Sequence, residues 1–522
     1  MSIVLKLSDR WKSTASLELL GCIHDFEKHE STLASVENIE SWVVKLKDLK
    51  GFYSLVKQDA NQVFAAVDHI RSRPLFYAST EQNFYLSDSA EWVRQQVNDT
   101  FMDEFAKAEF QLTGYVTGRD TLYKNVKQLQ AGECLVYANN QLAVECYYTF
   151  DHREPESYRE ETLLEELDGV AKKSIQRLIQ YANGRQIVIP LSGGYDSRLI
   201  ATLLKEANYE NILAFTYGAK GNKEADYSKI VADKLGLKWH FIEYTEALWK
   251  AAWKTEERKA YQVFGSGWNS IPHVQDWLAV KIMKEQGIVQ SDAVFAPGHS
   301  GDMVAGSHIP SFIHQNLDAK YTKDKLVEHL FNKHYCLTIH ENVKPSISAF
   351  KEKIENSLVL KTTYSAKEFA NECERYNWQN RQSKFIFNSV RVYEFFDYDW
   401  WIPLWDKEFV KFFEGLPLCL RNHEWYKEYV NNKYLDNNSG KLVNIVGNFS
   451  LSWLIESKIK KIINKHTKLK EVVVFLYNVI FKRTDSMARS GRYDKKLFNK
   501  LSKEGYNLTG ITVFIFLIEF DL

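Results

Sequence analysis

The chain has 522 residues, too many for one hydrophobic core, so two or three domains are expected. Hydrophobic residues make up 45% and charged residues 26%, ordinary for a soluble globular protein. Lys+Arg and Asp+Glu both number 67, so the chain lacks the basic excess of a nucleic-acid binder. The six cysteines are scattered, with no C-x-x-C, which argues against a disulfide framework or a zinc site and fits a reducing cytoplasm. The first residues carry no apolar signal-peptide core, and the longest apolar run, Ile511 to Phe520, is too short to span a bilayer and contains Glu519. That run is expected as a buried C-terminal strand or helix.

In chain order, residues 1 to about 150 are β-rich. Short runs such as Phe52 to Val56, Val63 to Val67 and Asn83 to Leu86 have the length and residue types of strands, separated by Asp, Asn, Gly and Pro. Asp151 to Ser157 is polar and reads as a linker. Leu163, Leu164, Leu167, Val170, Ala171, Ile175, Leu178 and Ile179 then form a helix stripe. Next come a buried strand at Gln186 to Ile189, a helix at Asp196 to Lys205 and a strand at Asn211 to Tyr217. A helix from Lys223 to Leu235 stops at Gly236, and a third strand runs from Trp239 to Tyr244. This alternation predicts βαβ units on a parallel sheet. From about Thr245 onward the chain is mostly helical and aromatic-rich. The basic stretch Lys458 to Lys470 reads as a solvated helix face, or as the source of a lysine for a phosphate site.

The most informative segment is Ile187-Val188-Ile189-Pro190-Leu191-Ser192-Gly193-Gly194-Tyr195-Asp196-Ser197. A hydrophobic strand ends in S-G-G-x-D-S and a helix starts at once. Gly193 and Gly194 lack Cβ, so backbone N–H groups can approach an anion. The helix N-terminus adds unpaired donors and the positive end of the dipole, and Ser192 and Ser197 add hydroxyls. Asp196 suits a phosphate site only with Mg²⁺ between them. A bare strand–turn–helix corner needs only one capping residue, not this whole array.

This loop resembles the pyrophosphate-binding loop of the N-type ATP pyrophosphatases, which cleave ATP between the α and β phosphates. It lacks the G-K-[ST] of a Walker A loop. A second segment, Val294 to Ser307, resembles the asparagine synthetase loop S-G-E-G-x-D-E-x-F-G-G, with Gly298, Asp302 and Gly306 matching. A third, Tyr393-Glu394 through Ile402-Pro403-Leu404-Trp405-Asp406 to Leu416-Pro417, resembles that family's E-x-R-x-P-F-L-D pattern. Leu49-Lys50-Gly51-Phe52, Ala66-Val67-Asp68 to Tyr77, and Leu122 to Gly132 resemble its class II glutaminase domain.

The resemblance implies an N-terminal Ntn-hydrolase-like β-rich sandwich over residues 1–150. An asparagine synthetase-like ATP pyrophosphatase domain would follow over 151–522, a doubly wound parallel sheet with a helical C-terminal part. It also implies ATP and Mg²⁺ as cofactors, an adenylated carboxylate, released pyrophosphate and an amide product. By the same resemblance Leu191, Ser192, Gly193, Gly194, Asp196, Ser197, Tyr217, Pro297 and Gly298 contact nucleotide or pyrophosphate, and Asp196 and Asp302 share the metal.

The pattern also breaks. Such a glutaminase uses a cysteine directly after the initiator Met, and Ser2 stands there. Val67 replaces an arginine, and no H-R-G-P-D segment is found, so the N-terminal domain is expected to be retained without glutaminase activity. The nitrogen donor is then ammonia, an amine, or ammonia from a separate partner, and a homodimer is also compatible. His299 replaces a Glu, and Met303 a second Glu; β-lactam synthetases, with their own inactive glutaminase domain, carry Tyr at the position of His299. His299 is a candidate general base, the alternative being a histidine that only hydrogen-bonds within its loop. The family's charge-stabilising lysine has no clear counterpart among Lys427, Lys433, Lys441 and the basic stretch. The segment Arg381 to Asp406 is similar to asparagine synthetase-like proteins of surface-polysaccharide pathways, so a uronic acid is one candidate substrate. A non-catalytic partner protein and an intramolecular, β-lactam-synthetase-like enzyme are the competing readings.

Overall fold

The computed structural model describes residues 2–14, 16–59, 61–343, 346–359, 361–436, 487 and 489–521. Lys441 and the basic stretch Lys458 to Lys470 lie outside the described residues. The N-terminal part contains a six-stranded antiparallel sheet. Its strands, in spatial order, are Gln141–Cys146, Glu133–Ala138, Gln62–Val67, Gly51–Asp59, Glu18–Ile23 and Lys12–Ser13. A four-stranded sheet of Ser2–Lys6, Asn83–Ser87, Phe76–Ser79 and Lys127–Gln128 lies against it, its first pair parallel.

Strand period explains the layering. Val63, Ala65 and Val67 point to the core shared with Phe84 and Leu86 of the second sheet. Phe64 and Ala66, between them, point to Leu33, Trp42 and Leu46 on the helices Phe26–Ala34 and Ile39–Leu46. The strand is buried on both faces, which is why Val63 to Val67 is continuously apolar rather than alternating.

The second sheet system has five parallel strands in the order Lys238–Glu243, Ile212–Gly218, Ile187–Pro190, Val294–Phe295 and Asp399–Trp400. In chain order this is 3-2-1-4-5, so the direction of winding reverses between Ile187–Pro190 and Val294–Phe295. Helices Tyr195–Glu206 and Lys223–Leu235 make the crossovers, and Gly236 ends the second in the left-handed region at φ 63°. The helix Glu160–Ala182 buries Leu163, Leu167, Ala171, Ile175 and Leu178, as its stripe predicts. The apolar C-terminal run is a helix, Leu508–Phe520, whose Val513, Phe516 and Leu517 pack with Phe110 and Trp268. Among the described residues no helix is long and apolar enough to cross a membrane.

The two sheet systems share a dense seam. Phe52 meets Trp401 edge-on at 4.7 Å, and Lys407 donates to the carbonyls of Lys47 and Leu49 at 2.7 and 2.9 Å. At its centre Glu394 is ion-paired to Arg73 and to Arg391, and accepts from Trp400 Nε1 at 2.9 Å. The guanidinium of Arg73 also lies over the Trp400 ring at 4.3 Å. Both arginines and Glu394 are buried, so removing the carboxylate leaves two buried cations without its charge. Glu394→Ala is therefore expected to cost about 3–5 kcal/mol. Urea denaturation followed by tryptophan fluorescence measures this, and an unchanged midpoint would show that the seam does not depend on the pair.

Candidate functional site

Open parallel sheets bind ligands beyond the carboxyl ends of their strands, where the winding reverses. Here the loops after Ile187–Pro190 and Val294–Phe295 bound a cleft of about 440 Å³. Ser192, Gly194, Asp196, Ser197, Tyr217, Pro297, Gly298, His299 and Asp302 line it. Leu191 and Gly193 are not among the lining residues. Leu191 is buried and extends the sheet through its N–H to Phe215 O at 2.8 Å. A Cβ at Gly193 would sit 2.7 Å from Tyr227 Cβ, so glycine is there for packing room.

The first loop is folded on itself. Ser192 N donates to Ser197 Oγ at 3.2 Å, the two hydroxyls lie 3.2 Å apart, and Gly194 N donates to Ser192 Oγ at 3.1 Å. Gly194 begins the helix Tyr195–Glu206 with ordinary backbone angles and no side-chain cap. The first N–H groups of that helix thus have no capping side chain, the arrangement that receives an anion.

The second loop presses against this helix start. A Cβ at Gly298 would lie 2.5 Å from Ser197 N, and one at Gly301 would lie 2.6 Å from both Asp196 Oδ1 and Tyr426 Oη. Glycine is needed at both places because backbone passes against backbone and carboxylate. Asp196 accepts from Asp302 N at 3.4 Å and from Tyr426 Oη at 2.9 Å, and Asp302 accepts from Ser307 Oγ at 3.0 Å. Burial first, and the Asp302 carboxylate second, push Asp196 up to about 7. Two carboxylates facing the same cleft as an anion-receptive helix end fit Mg²⁺, which takes one or two carboxylates and completes its shell with water and phosphate oxygens. No group of three or more His, Cys, Asp or Glu side chains suited to a metal occurs among the described residues.

His299 stands on the cleft wall. Ser389 donates its single hydroxyl proton to Ile386 O at 2.6 Å, so His299 Nε2–H donates to Ser389 Oγ, at 2.6 Å, and Nδ1 keeps its lone pair. Burial lowers its pKa to about 4, against the pull of Asp276, so the ring is neutral at pH 7. The next residue, Ser300, adopts a left-handed conformation at φ 64° and is held by its Oγ donating to Gln382 Oε1 at 2.6 Å. Gln382 belongs to a wide-wound π segment, Asn377–Ile386, and Ser389 to the turn after it.

Several cleft residues carry no motif. Asp276, His273 and His423 line it, and Tyr426, on the helix His423–Asp436, donates to Asp196 behind it. The one sequence sign for Asp276 is an acid placed just before the apolar run Trp277 to Val280, in the first turn of the helix Gln275–Glu285. Tyr426 has no such sign, because its partner Asp196 is 230 residues away. Of the candidate lysines, Lys433 is ion-paired to Asp168 and Glu206 at 2.7 and 3.0 Å. Lys427 pairs with Glu424 at 2.8 Å and lies 5.7 Å from the Tyr195 ring.

The asparagine synthase family profile matches residues 179–435, and a glutamine amidotransferase domain profile matches residues 23–148. An NH(3)-dependent NAD(+) synthetase of Methanocaldococcus jannaschii is 31% identical over 88 residues, 16% of this chain and 34% of that protein. The chain thus spans about a third of the length of that relative. Among solved structures, an NH3-dependent NAD synthetase of Campylobacter jejuni aligns with a TM-score of 0.21 at 16% identity, over 29% of this chain and 61% of that one. A glutamine phosphoribosylpyrophosphate amidotransferase of B. subtilis aligns with a TM-score of 0.18 at 10% identity, over 55% and 62%. Likeness at these scores carries no weight.

The Asp196 carboxyl gives a pH signature. Its folded-state pKa lies above the ordinary 3.8, so the folded protein holds a proton that the unfolded chain has released. That contribution to stability is present below pH 3.8 and lost as pH rises toward 7. Without divalent cation, the melting temperature of the wild type is expected to fall from pH 4 to 7 relative to Asp196→Asn. Mg²⁺ at pH 8 should raise it for the wild type only. Parallel melting profiles for the two proteins would remove Asp196 as the titrating group.

Proposed function

Because this chain belongs to the asparagine synthetase-like family, we propose that it is an ATP-dependent, AMP-forming ligase that adenylates a carboxylate and joins it to nitrogen. The observation that carries this reading is the meeting of Asp196 and Asp302 across two loops, beside the uncapped helix end at Gly194. In this reading Ser192, Ser197 and the N–H groups of that helix end hold the β and γ phosphates. Asp196 and Asp302 would hold Mg²⁺, which supplies charge neutralisation along the polyphosphate.

The substrate carboxylate oxygen attacks the α phosphorus; a P–O bond forms, the bond to the β-phosphate oxygen breaks, and pyrophosphate leaves with the electron pair. The nitrogen lone pair then attacks the activated carbonyl carbon. A C–N bond forms, the C–O bond to AMP breaks, and AMP leaves with that pair. The attacking nitrogen becomes cationic as it bonds, hence far more acidic than the free amine. A neutral His299 with its Nδ1 lone pair, weak base though it is, suffices to take that proton.

We divide the chain near residue 151 and assign the N-terminal part a structural role, without glutamine hydrolysis. The backbone N–H of Ser2 is engaged with Gln82 O at 3.0 Å, and Cys22 lies within the strand Glu18–Ile23. The nitrogen source is then ammonia or an amine. A small acid is the substrate, with uronic acids the first class to try.

The test is ATP–pyrophosphate exchange across a panel of uronic and amino acids, with the nucleotide product identified. Exchange with one acid, AMP as product, and loss of about 100-fold or more in Asp196→Asn and Asp302→Asn are expected. ADP as product, or folded aspartate variants as active as the parent, would overturn the reading. His299→Ala is expected to keep exchange and to slow amide formation by about 100-fold, the usual worth of a general base; equal loss of both steps would remove His299 from that role.

A further inference from the structure

The cleft has two chemically different ends. One holds the uncapped helix start, the two serines and the Asp196–Asp302 pair. The other holds Tyr217, Asp276 and His273. Asp276 is 4% exposed, and among the described residues no lysine or arginine is ion-paired to it. A polyphosphate belongs at the first end, where the uncapped helix start can receive it and Mg²⁺ would offset the two carboxylates, so a nucleotide placed with its phosphates there presents its base to the second.

That second end is built to receive a base. The Tyr217 ring stacks on Tyr244, centroids 5.2 Å apart at 24°. Tyr217 Oη donates to Asp276 Oδ1, and Tyr393 Oη donates to Oδ2 at 3.2 Å. Tyr393 is itself fixed by stacking on Phe295 at 4.3 Å, so the carboxylate is braced from two strands of the sheet. His273 Nδ1 lies 3.8 Å from Oδ1. Asp276 is in the first turn of its helix, where the dipole favours negative charge. Each carboxylate oxygen accepts two hydrogen bonds, and a phenol takes one on each. Among the described residues, what remains is acceptor capacity with no hydrogen-bond donor on it. Such a group binds an amine edge and rejects a carbonyl edge, since a buried acceptor facing an acceptor leaves both unpaired.

We propose that Asp276, braced by Tyr217 and Tyr393, is the specificity residue that reads the exocyclic amine of adenine. The inference rests on the ATP-consuming reading above and adds to it the residue that selects the nucleotide. Hypoxanthine carries a carbonyl where adenine carries the amine, so ATP should be preferred over ITP through this contact. Purine riboside triphosphate, with neither group, should be indifferent to Asp276.

The experiment is calorimetric titration of the full chain with the Mg²⁺ complexes of ATP, ITP and purine riboside triphosphate. Wild type is expected to bind ATP more tightly than ITP by about 10- to 100-fold, the worth of one hydrogen bond to a charged group. Asp276→Asn, whose amide can donate to a carbonyl, should collapse that ratio toward one. Asp276→Ala should weaken ATP and leave purine riboside triphosphate unchanged. Tyr393→Phe keeps the carboxylate but loosens it, and should lower the ATP-to-ITP ratio even where the Asp276 variants fold poorly. A wild-type ratio preserved in Asp276→Asn and Tyr393→Phe would overturn the proposal, as would equal weakening of all three nucleotides by Asp276→Ala. Nucleotide binding unaffected in Asp276→Asn while amide formation slows would place Asp276 beside the nitrogen nucleophile instead, and also overturn it. Wild type that binds none of the three nucleotides would sink the ATP reading itself.

Discussion

The close passage of one loop over another at the reversal of the sheet governs this molecule. The backbone at Gly298 and Gly301 lies so near the start of the helix Tyr195–Glu206 that a methyl group at either position would collide with Ser197 N or with the Asp196 carboxylate. That closeness brings Asp302 N within 3.4 Å of Asp196 and leaves two carboxyl groups at one end of the cleft. The cost appears in Asp196, pushed up to about 7 by burial and by its neighbour. A fold that served only stability would place a cation or an apolar residue there. Holding two acids together, with a tyrosine from a distant helix donating to one of them, makes sense when a divalent cation and a polyphosphate complete the charge balance.

The same site depends on the N-terminal part for support, whatever chemistry that part performs. The fifth parallel strand is only Asp399–Trp400, too short to hold its place by its own ladder. It is held from the other side by the N-terminal sheets. Arg73 lies over Trp400, Phe52 packs on Trp401, and Trp378 Nε1 donates to His69 O at 2.9 Å. Stripped of the N-terminal part, these tryptophans would form a large apolar patch next to the helical turns that bear Tyr393 and Pro403. The N-terminal sandwich has this surface to cover whether or not it hydrolyses glutamine.

Much of this was legible in the sequence, for identifiable reasons. The runs Val63 to Val67 and Gln186 to Ile189 are apolar on both faces and end in turn residues, and both are strands. Gly236 and the stripe from Leu163 to Leu178 carry local signals that tertiary contacts did not override. The strand–turn–helix corner around S-G-G-x-D-S was legible because its signals are contiguous. By contrast, Ile511 to Phe520 was open between strand and helix, because a short run apolar on every side has no period to separate them. The wide-wound segment Asn377–Ile386 has no composition signal, yet it carries Gln382 to Ser300. Asp276 and Tyr426 reach the cleft only through packing between remote segments, which no spacing rule records. For Gly193, nothing in the sequence signals that Tyr227 packs where a Cβ would sit.

His299 shows how the surroundings, rather than the residue type, set what a polar side chain can do. A histidine in a loop is a common hydrogen-bonding residue. Here Ser389 fixes the tautomer, and Ser389 is itself fixed by Ile386 O, so the proton is directed into the wall and the lone pair is kept on Nδ1. Burial removes the positive form, while Asp276 pulls the other way. The result is a neutral acceptor too weak to strip a free ammonium ion, yet adequate for a nitrogen made acidic by bonding to carbon. In the proposed reaction such a group would act late, after the nucleophile has committed. That order would suit a site where premature proton loss brings no gain and where water, the competing nucleophile, must not be activated against the adenylate of the proposed reaction.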